Sequence, residues 1–262
     1  MMKGVAMPEI SVCVATYNGA TWIAEQLDSI LEQIGPGDEV VVVDDCSTDD
    51  TIAALEQIAD PRIRIYRQKK NRGYVQTFGQ ALALARGEYV LLADQDDIWL
   101  PGRVTEMVTA LREGADVVAT NLTTMGGPGY VSGPYGQVDW HLRASDSRRR
   151  ARNLFGILIG GMSYWGCAMG LKQETLKVML PFPAYLTESH DLWIAIFGNL
   201  RKTVRHLEIR SLEWRNHASN TNPKKPRGPV QLLKKRWMML RAMFTIHHRI
   251  MRNYGHLTKG TT

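Results

Sequence analysis

An α/β fold with a mostly parallel central sheet flanked by helices is predicted by three features of this 262-residue sequence. Short β-rich runs alternate four times with stretches of helical periodicity before residue 115, the pattern that forces parallel pairing through helical crossovers. Polar or acidic residues gather at the carboxyl end of the runs, the edge at which open α/β sheets bind ligands. One run, Tyr89 to Ala93, ends in three carboxylates within four positions, Asp94, Asp96 and Asp97.

Taken in order, Ile10 to Ala15 is a strand that stops at the polar turn Thr16-Tyr17-Asn18-Gly19. Ile23, Leu27, Ile30 and Ile34 then mark a helix, which Gly35-Pro36-Gly37 closes. Glu39 to Val43 is a second strand, followed by Asp44-Asp45-Cys46-Ser47-Thr48-Asp49, which supplies caps for a helix bearing Ile52, Leu55 and Ile58. A third strand, Ile63 to Tyr66, leads through Asn71-Arg72-Gly73 to a helix carrying Val75, Phe78 and Leu82. The central strand follows. A helix from about Pro101 to Arg112, with Asp97 as a candidate cap, and a strand over Asp116 to Asn121 complete the regular part.

Beyond it, Thr123 to Gln137 is a Gly- and Pro-rich loop suited to a lid or an acceptor surface. Ser147 to Ile159 is helical, and the small-residue run Gly166 to Gly170 predicts close backbone approach. Thr187 to Ile194 opens another helix with an acidic cluster, which dipole electrostatics alone would explain. A strand near Val204 to Leu212 precedes the polar segment Trp214 to Asn220, which contains His217.

The acids after the central strand carry the chemistry. Carboxylates this dense repel one another unless a cation lies among them, and alternation along extended backbone points Asp94 and Asp96 to one side. Hard divalent ions such as Mg²⁺ or Mn²⁺ take such oxygen ligands and complete their shell with substrate phosphates. Asp94 and Asp96 therefore mark a site for a metal-bound diphosphate. Neither GxGxxG after the first strand nor GxxxxGK[ST] is present, so metal rather than a glycine loop would hold the phosphates.

Composition narrows the field. Cys13, Cys46 and Cys167 show no paired spacing and fit reduced thiols, and neither a signal-peptide apolar region nor a spanning helix is evident. A cytoplasmic chain, soluble or peripheral at the inner face of a membrane, is expected. Of the 32 Lys and Arg, ten lie in residues 223–262, where there is no Asp or Glu, against a net formal charge of +6 for the whole chain. The basicity belongs to the tail. That distribution argues against nucleic acid as a partner and for a local anionic one such as a phospholipid surface. Val230, Leu233, Trp237, Leu240 and Phe244 form an apolar stripe there, with Lys234, Lys235, Arg236 and Arg241 off it. The stripe suits an anionic bilayer, or packing against the rest of the chain or a second copy in a homodimer.

Together, Ala15 to Gly19, Val43 to Asp49, Asn71 to Gly73 and Asp94 to Pro101 resemble the motifs of the inverting family 2 glycosyltransferases, whose fold is called GT-A. The likeness runs from Ile10 to about Asn220. Asp94-Gln95-Asp96-Asp97-Ile98-Trp99-Leu100-Pro101 and His190-Asp191-Leu192-Trp193 are most similar to the bacterial rhamnosyltransferase-like branch. The resemblance implies that Thr16, Tyr17 and Asp45 hold the base and ribose of a nucleoside diphosphate sugar, with Asp44 in support and with Asn18, Arg72 and Gln95 in the same nucleotide-binding motifs. It implies Asp96 as direct metal ligand, Asp94 beside it, His217 near the metal and diphosphate, and Asp191 as catalytic base. It also implies a catalytic domain over 1–222, with a nucleotide-binding half 8–121 and an acceptor-binding half 122–222, followed by the helical extension 223–262. The acceptor would be a saccharide or a lipid-linked saccharide. Rival readings are a sugar nucleotidyltransferase, whose glycine-rich basic loop is absent, and an inactive sugar-nucleotide-binding scaffold.

Overall fold

The computed structural model describes residues 7–133, 135–217 and 228–257. The first half alternates as the periodicity predicts: β1 (Ile10–Thr16), α1 (Ile23–Leu31), β2 (Glu39–Asp44), α2 (Thr51–Ile58), β3 (Ile63–Arg67), α3 (Tyr74–Leu84) and β4 (Tyr89–Ala93). The second half contains β5 (Ile98–Trp99), α4 (Arg103–Arg112), β6 (Val117–Thr124), α5 (Arg150–Ile159), β7 (Met169–Lys172), α6 (Leu176–Met179), α7 (His190–Arg201), β8 (Val204–Trp214) and α8 (Pro229–Leu257).

One eight-stranded sheet runs in the order β3-β2-β1-β4-β7-β6-β8-β5. β3, β2, β1 and β4 pair in parallel; β7 is antiparallel to both neighbours, β8 parallel to β6, and β5 antiparallel to β8. Alternate residues of the inner strands feed two cores, one on each face. Val41 and Val43 point to the side of α3, α7 and α8, while Val40 and Val42 point to the side of α1 and α4. This is why β2 and β4 are apolar on both faces and buried throughout. Gly170 in β7 bears out the predicted close approach, since a Cβ there would lie 2.6 Å from Leu91 Cδ2 and 3.0 Å from Met107 Cε.

The sheet also separates two kinds of carboxylate. At the amino end of β2, Glu39 is buried and accepts hydrogen bonds from Ser11 Oγ (2.7 Å), Arg86 N (2.8 Å) and Arg64 Nη1 (2.6 Å). Burial alone would raise its pKa, but the bonds from Arg86, Ser11 and Arg64 outweigh it and hold the carboxyl below its ordinary range. Beyond the carboxyl end of β4, Asp94 and Asp97 are raised instead, as described below.

Two expectations need correction. Asp97 does not cap the following helix: α4 begins at Arg103 with Gly102 at its N-cap, and Asp97 Oδ1 accepts the Arg215 N–H at 3.2 Å. Between Asp97 and α4, Ile98 and Trp99 pair with β8 and form the sheet edge. The apolar stripe of the tail does not pack on the body. Val230, Leu233, Trp237 and Phe244 are each more than 60% exposed, whereas Met238, Met239, Ala242, Ile246 and Ile250 form the face of α8 that joins the core around α7. The expected domain boundary at residue 222 lies outside the described residues.

Candidate active site

A cavity of about 700 Å³ opens at the carboxyl ends of β1, β2 and β4 and extends to the first turn of α7 and the start of α8. Thr16, Tyr17, Asp45, Asp94, Gln95, Asp96 and Asp191 all line it. The convergence of three strand ends is therefore real, and Asp191 is brought to them from far along the chain.

Gln95 ties the β1 loop to the β4 end. Its Oε1 accepts from Thr16 Oγ1 (2.7 Å) and Tyr17 N (2.8 Å), and its Nε2 donates to Tyr17 O (3.2 Å). With the backbone pinned, the Tyr17 ring is left as an exposed lip. Gly19 is required beside it, since a Cβ would lie 2.7 Å from Gln95 Cδ and 3.0 Å from Thr16 Oγ1. Asp45 holds the third loop by accepting Arg72 N (2.7 Å) and Gly73 N (2.8 Å).

Asn18, Asp44 and Arg72 do not line the cavity. Asn18, at φ 49°, donates its N–H to Ser47 Oγ (2.9 Å) and accepts Thr48 N (2.9 Å). Asp44 accepts Ser47 N (2.9 Å) and lies 3.8 Å from Arg67 Nε. Arg72 enters through its backbone. These residues shape the loops rather than the wall. Non-glycine positive φ values at Asn18, Cys46 and Ser189 (φ 65°) fall in the loops around this cavity, where backbone strain commonly accompanies function.

The acids form two adjoining groups. His217 Nε2 meets Asp96 Oδ2 at 2.6 Å, and the imidazole stacks on Trp22 with centroids 4.0 Å apart. Arg215 fixes this segment, donating Nε to Asp96 O (3.0 Å) and Nη2 to Glu25 Oε2 (2.6 Å). Behind them, Asp94, Asp97 and Cys167 bring ligand atoms within 4.8 Å of one another. Burial first, then Asp97 and Asp96, raises Asp94 well above the usual carboxylate range; burial first, then Asp96, pushes Asp97 up to about 7. Asp97 Oδ2 is buried with no hydrogen-bond partner among the described residues. Carboxylates that destabilise one another's charge form a donor set that fits a divalent cation, but the ligand atoms gathered here are those of Asp94, Asp97 and Cys167, while Asp96 bonds to His217, which does not line the cavity.

Arg103 is the residue that sequence reasoning missed. Its fully buried guanidinium donates to Ser211 Oγ (2.6 Å), Leu92 O (3.2 Å) and Cys167 O, and lies 4.3 Å from the Trp99 ring. It clamps the end of β4 to β8 directly under the acids. A basic residue in the first turn of a helix carries no signal of burial.

Asp191 sits in the first turn of α7, and its Oδ1 accepts the Leu192 N–H at 2.7 Å. Burial pushes its carboxyl up to about 6, against the pull of that hydrogen bond and of Lys235. His190 beside it is stacked on Phe78 at 4.3 Å, and burial drives its pKa down to about 3, so the ring is neutral. Both its ring nitrogens lack partners among the described residues, and Nε2 crowds Gly166, where a Cβ would lie 2.6 Å away.

Known proteins resemble this chain in sequence and fold. The chain is 38% identical over 117 residues to succinoglycan biosynthesis protein ExoO of Rhizobium meliloti, covering 44% of this chain and 34% of that one. It is 24% identical over 244 residues to the Escherichia coli protein WfaP, a UDP-Glc:α-D-GlcNAc-diphosphoundecaprenol β-1,3-glucosyltransferase, covering 93% and 90%. The matched stretch spans only about a third of the length of ExoO. Among solved structures, S. aureus TarS 1–349 in complex with UDP superposes with a TM-score of 0.65 at 22% identity, over 92% of this chain and 65% of that one. The mannosyltransferase PcManGT from Pyrobaculum calidifontis, in complex with GDP-Man and Mn²⁺, gives 0.57 at 21%, over 95% and 76%. These likenesses show the GT-A fold. The model of the glycosyl transferase family 2 matches residues 11–177, which is most of the sheet and its ligand-binding edge, and the chain belongs to that family.

Proposed function

We propose that this protein transfers a sugar, with inversion, from a nucleoside diphosphate sugar to a hydroxyl of a bacterial cell-surface polysaccharide or its lipid-linked precursor. The observation that carries the reading is the placement of Asp191, with its raised pKa of about 6, in the same cavity as Thr16, Asp45, Asp94 and Asp96. A carboxylate tuned near neutral pH is suited to removing a hydroxyl proton and is still ionised at working pH.

Thr16, Tyr17 and Asp45 receive the nucleoside, with the exposed Tyr17 ring as a face for the base. Asp94, Asp96 and His217 would hold Mg²⁺ or Mn²⁺, which when bound neutralises charge on the departing diphosphate. Asp191 takes the proton of the acceptor hydroxyl as its oxygen bonds to the anomeric carbon. The sugar–phosphate bond breaks on the opposite face, and its electron pair leaves with the nucleoside diphosphate. The ligands of similar proteins, UDP and UDP-GlcNAc for TarS and a UDP-Glc donor for WfaP, with GDP-Man for PcManGT, support a uridine donor ahead of a GDP-sugar or dTDP-rhamnose. The diphosphoundecaprenol acceptor of WfaP supports a lipid-linked acceptor met at the inner face of the membrane. No helix among the described residues is long and apolar enough to cross a membrane.

Release of nucleoside diphosphate from a panel of UDP-, GDP- and dTDP-sugars, with membrane extract as acceptor source, tests the proposal. Release with one donor, lost on chelation and in Asp96→Ala, is expected. Hydrolysis or transfer equally fast in Asp191→Asn and Asp96→Ala would refute it.

A further inference from the structure

Helix α8 presents two surfaces with different chemistry. Towards the body it contributes Leu232, Lys235 and Arg236 to the wall of the active-site cavity. Lys235 Nζ stands 3.5 Å from Glu188 Oε2, and the Arg236 guanidinium lies against Gly160, a position with no space for a Cβ. Among the described residues lining the cavity these are the only lysine and arginine, and the rest of its charged wall, including Asp45, Asp94, Asp96 and Asp191, is acidic. An anion held at the α8 end meets cations; the acidic end requires a metal.

Away from the body α8 exposes Val230, Leu233, Trp237, Phe244 and Met251, all 59–70% accessible. The spacing of Val230, Leu233, Trp237 and Phe244 places them along one side of the helix. Exposed Lys234, Arg241 and Arg252 flank them, and residues 228–257 contain no Asp or Glu. α5, which packs against α8, adds exposed Phe155 and Ile159 at helical spacing. An apolar ridge with a basic border matches a bilayer interface in charge and polarity.

We propose that α8 docks a membrane-anchored acceptor: Lys235 and Arg236 bind the diphosphate that joins the acceptor saccharide to a polyprenyl chain, and the ridge seats α8 in the lipid surface around it. The proposal rests on the transferase reading above and names the acceptor's chemistry and its binding residues. The diphosphate ties a saccharide lying near Asp191 to a hydrocarbon chain leaving along the apolar ridge, so one helix serves both ends of the molecule.

Co-flotation of the full chain tests it, using phosphatidylcholine vesicles with and without a few mole per cent undecaprenyl diphosphate. Wild type is expected to bind plain vesicles weakly. With the diphosphate, two basic residues give a partition coefficient higher by roughly tenfold or more. Lys235→Ala/Arg236→Ala should lose that rise and keep the basal binding, while Leu233→Glu/Trp237→Glu should bind neither vesicle. A rise that persists in Lys235→Ala/Arg236→Ala, or wild type that binds no vesicle, overturns the proposal. So does a dimer in sedimentation that the ridge variant dissociates without any vesicle binding, since a second copy would then cover the ridge. The UDP–Mn²⁺ thermal shift separates the two readings. Wild type that UDP, GDP and dTDP all fail to stabilise would sink the transferase assignment while flotation still reads diphosphate binding, retention of the shift in the ridge variant shows an intact donor site, and its loss in Lys235→Ala/Arg236→Ala would give those residues to the donor and overturn the acceptor assignment.

Discussion

Replacing Asp191 by asparagine should slow the enzyme and stabilise the protein, and the two effects have one cause. The carboxyl is raised from its ordinary 3.8 to about 6, chiefly by burial. A group that binds its proton more tightly when folded loses stability for the native state as pH rises from the unfolded to the folded pKa, and the full penalty stands above the latter. The difference of about two pH units corresponds to roughly 3 kcal/mol. Asparagine keeps an oxygen for the Leu192 N–H and removes the buried charge. At pH 8 Asp191→Asn should therefore melt higher than wild type by about 5 °C or more, and the gain should vanish near pH 3.5, where both side chains are neutral. Turnover should fall by about 10² to 10⁴, the usual worth of a positioned base. Wild-type kcat/KM should rise with pH and level off above about 6, as Asp191 ionises. Melting and initial-rate assays across pH 4–8 read both effects. Unchanged turnover would refute the role of base. Equal melting at pH 8 would refute the claim that the site holds this carboxylate at a cost.

Two further substitutions probe the scaffold. Gly19→Ala should displace Gln95 from Thr16 and Tyr17, costing about 1–3 kcal/mol of stability by overpacking. It should also weaken UDP binding about tenfold in calorimetry, since one such bond is worth roughly 1 kcal/mol, and an unchanged Kd would place the nucleoside elsewhere. Glu39→Gln should show the opposite pH behaviour to Asp191→Asn. Glu39 is depressed below its ordinary 4.5 by Arg86, Ser11 and Arg64 despite burial, so its stabilisation is complete above pH 4.5 and disappears as pH falls through the folded value. Denaturant melts at pH 7 should show a loss of about 2–4 kcal/mol that shrinks at pH 3, whereas a constant loss would assign the effect to packing.

Much of the ligand-binding edge was legible because its signal is local. The runs ending at Thr16, Asp44 and Asp94 each announce a strand, its end and its polar residues within a few positions, and alternation decides which core each valine enters. The parts that were not legible depend on partners distant in sequence. Asp96 and His217 are 121 positions apart, and only the family resemblance gave the histidine of that polar segment a role. Ile98–Trp99 is too short to show a period, and its strand identity comes from β8. Arg103 resembles any first-turn arginine until the carbonyls of Leu92 and Cys167 are brought to it. In α8 two apolar faces interleave, and the conspicuous one, with Trp237 and Phe244, is outside. The face that packs is the quieter set of Met238, Met239, Ala242, Ile246 and Ile250. Amphipathic spacing tells that a helix has such faces; only the surface opposite decides which one is buried.

The central claim is that one cavity binds a nucleoside diphosphate through a divalent cation held at Asp96. Thermal shift of the full chain with UDP, GDP and dTDP, each with Mn²⁺ or with chelator, tests it most directly, because a ligand that binds only the folded state must raise its melting temperature. A nucleotide shift that requires the metal and disappears in Asp96→Ala is predicted. A folded protein that no nucleotide stabilises, or one stabilised equally in chelator and in Asp96→Ala, would contradict it.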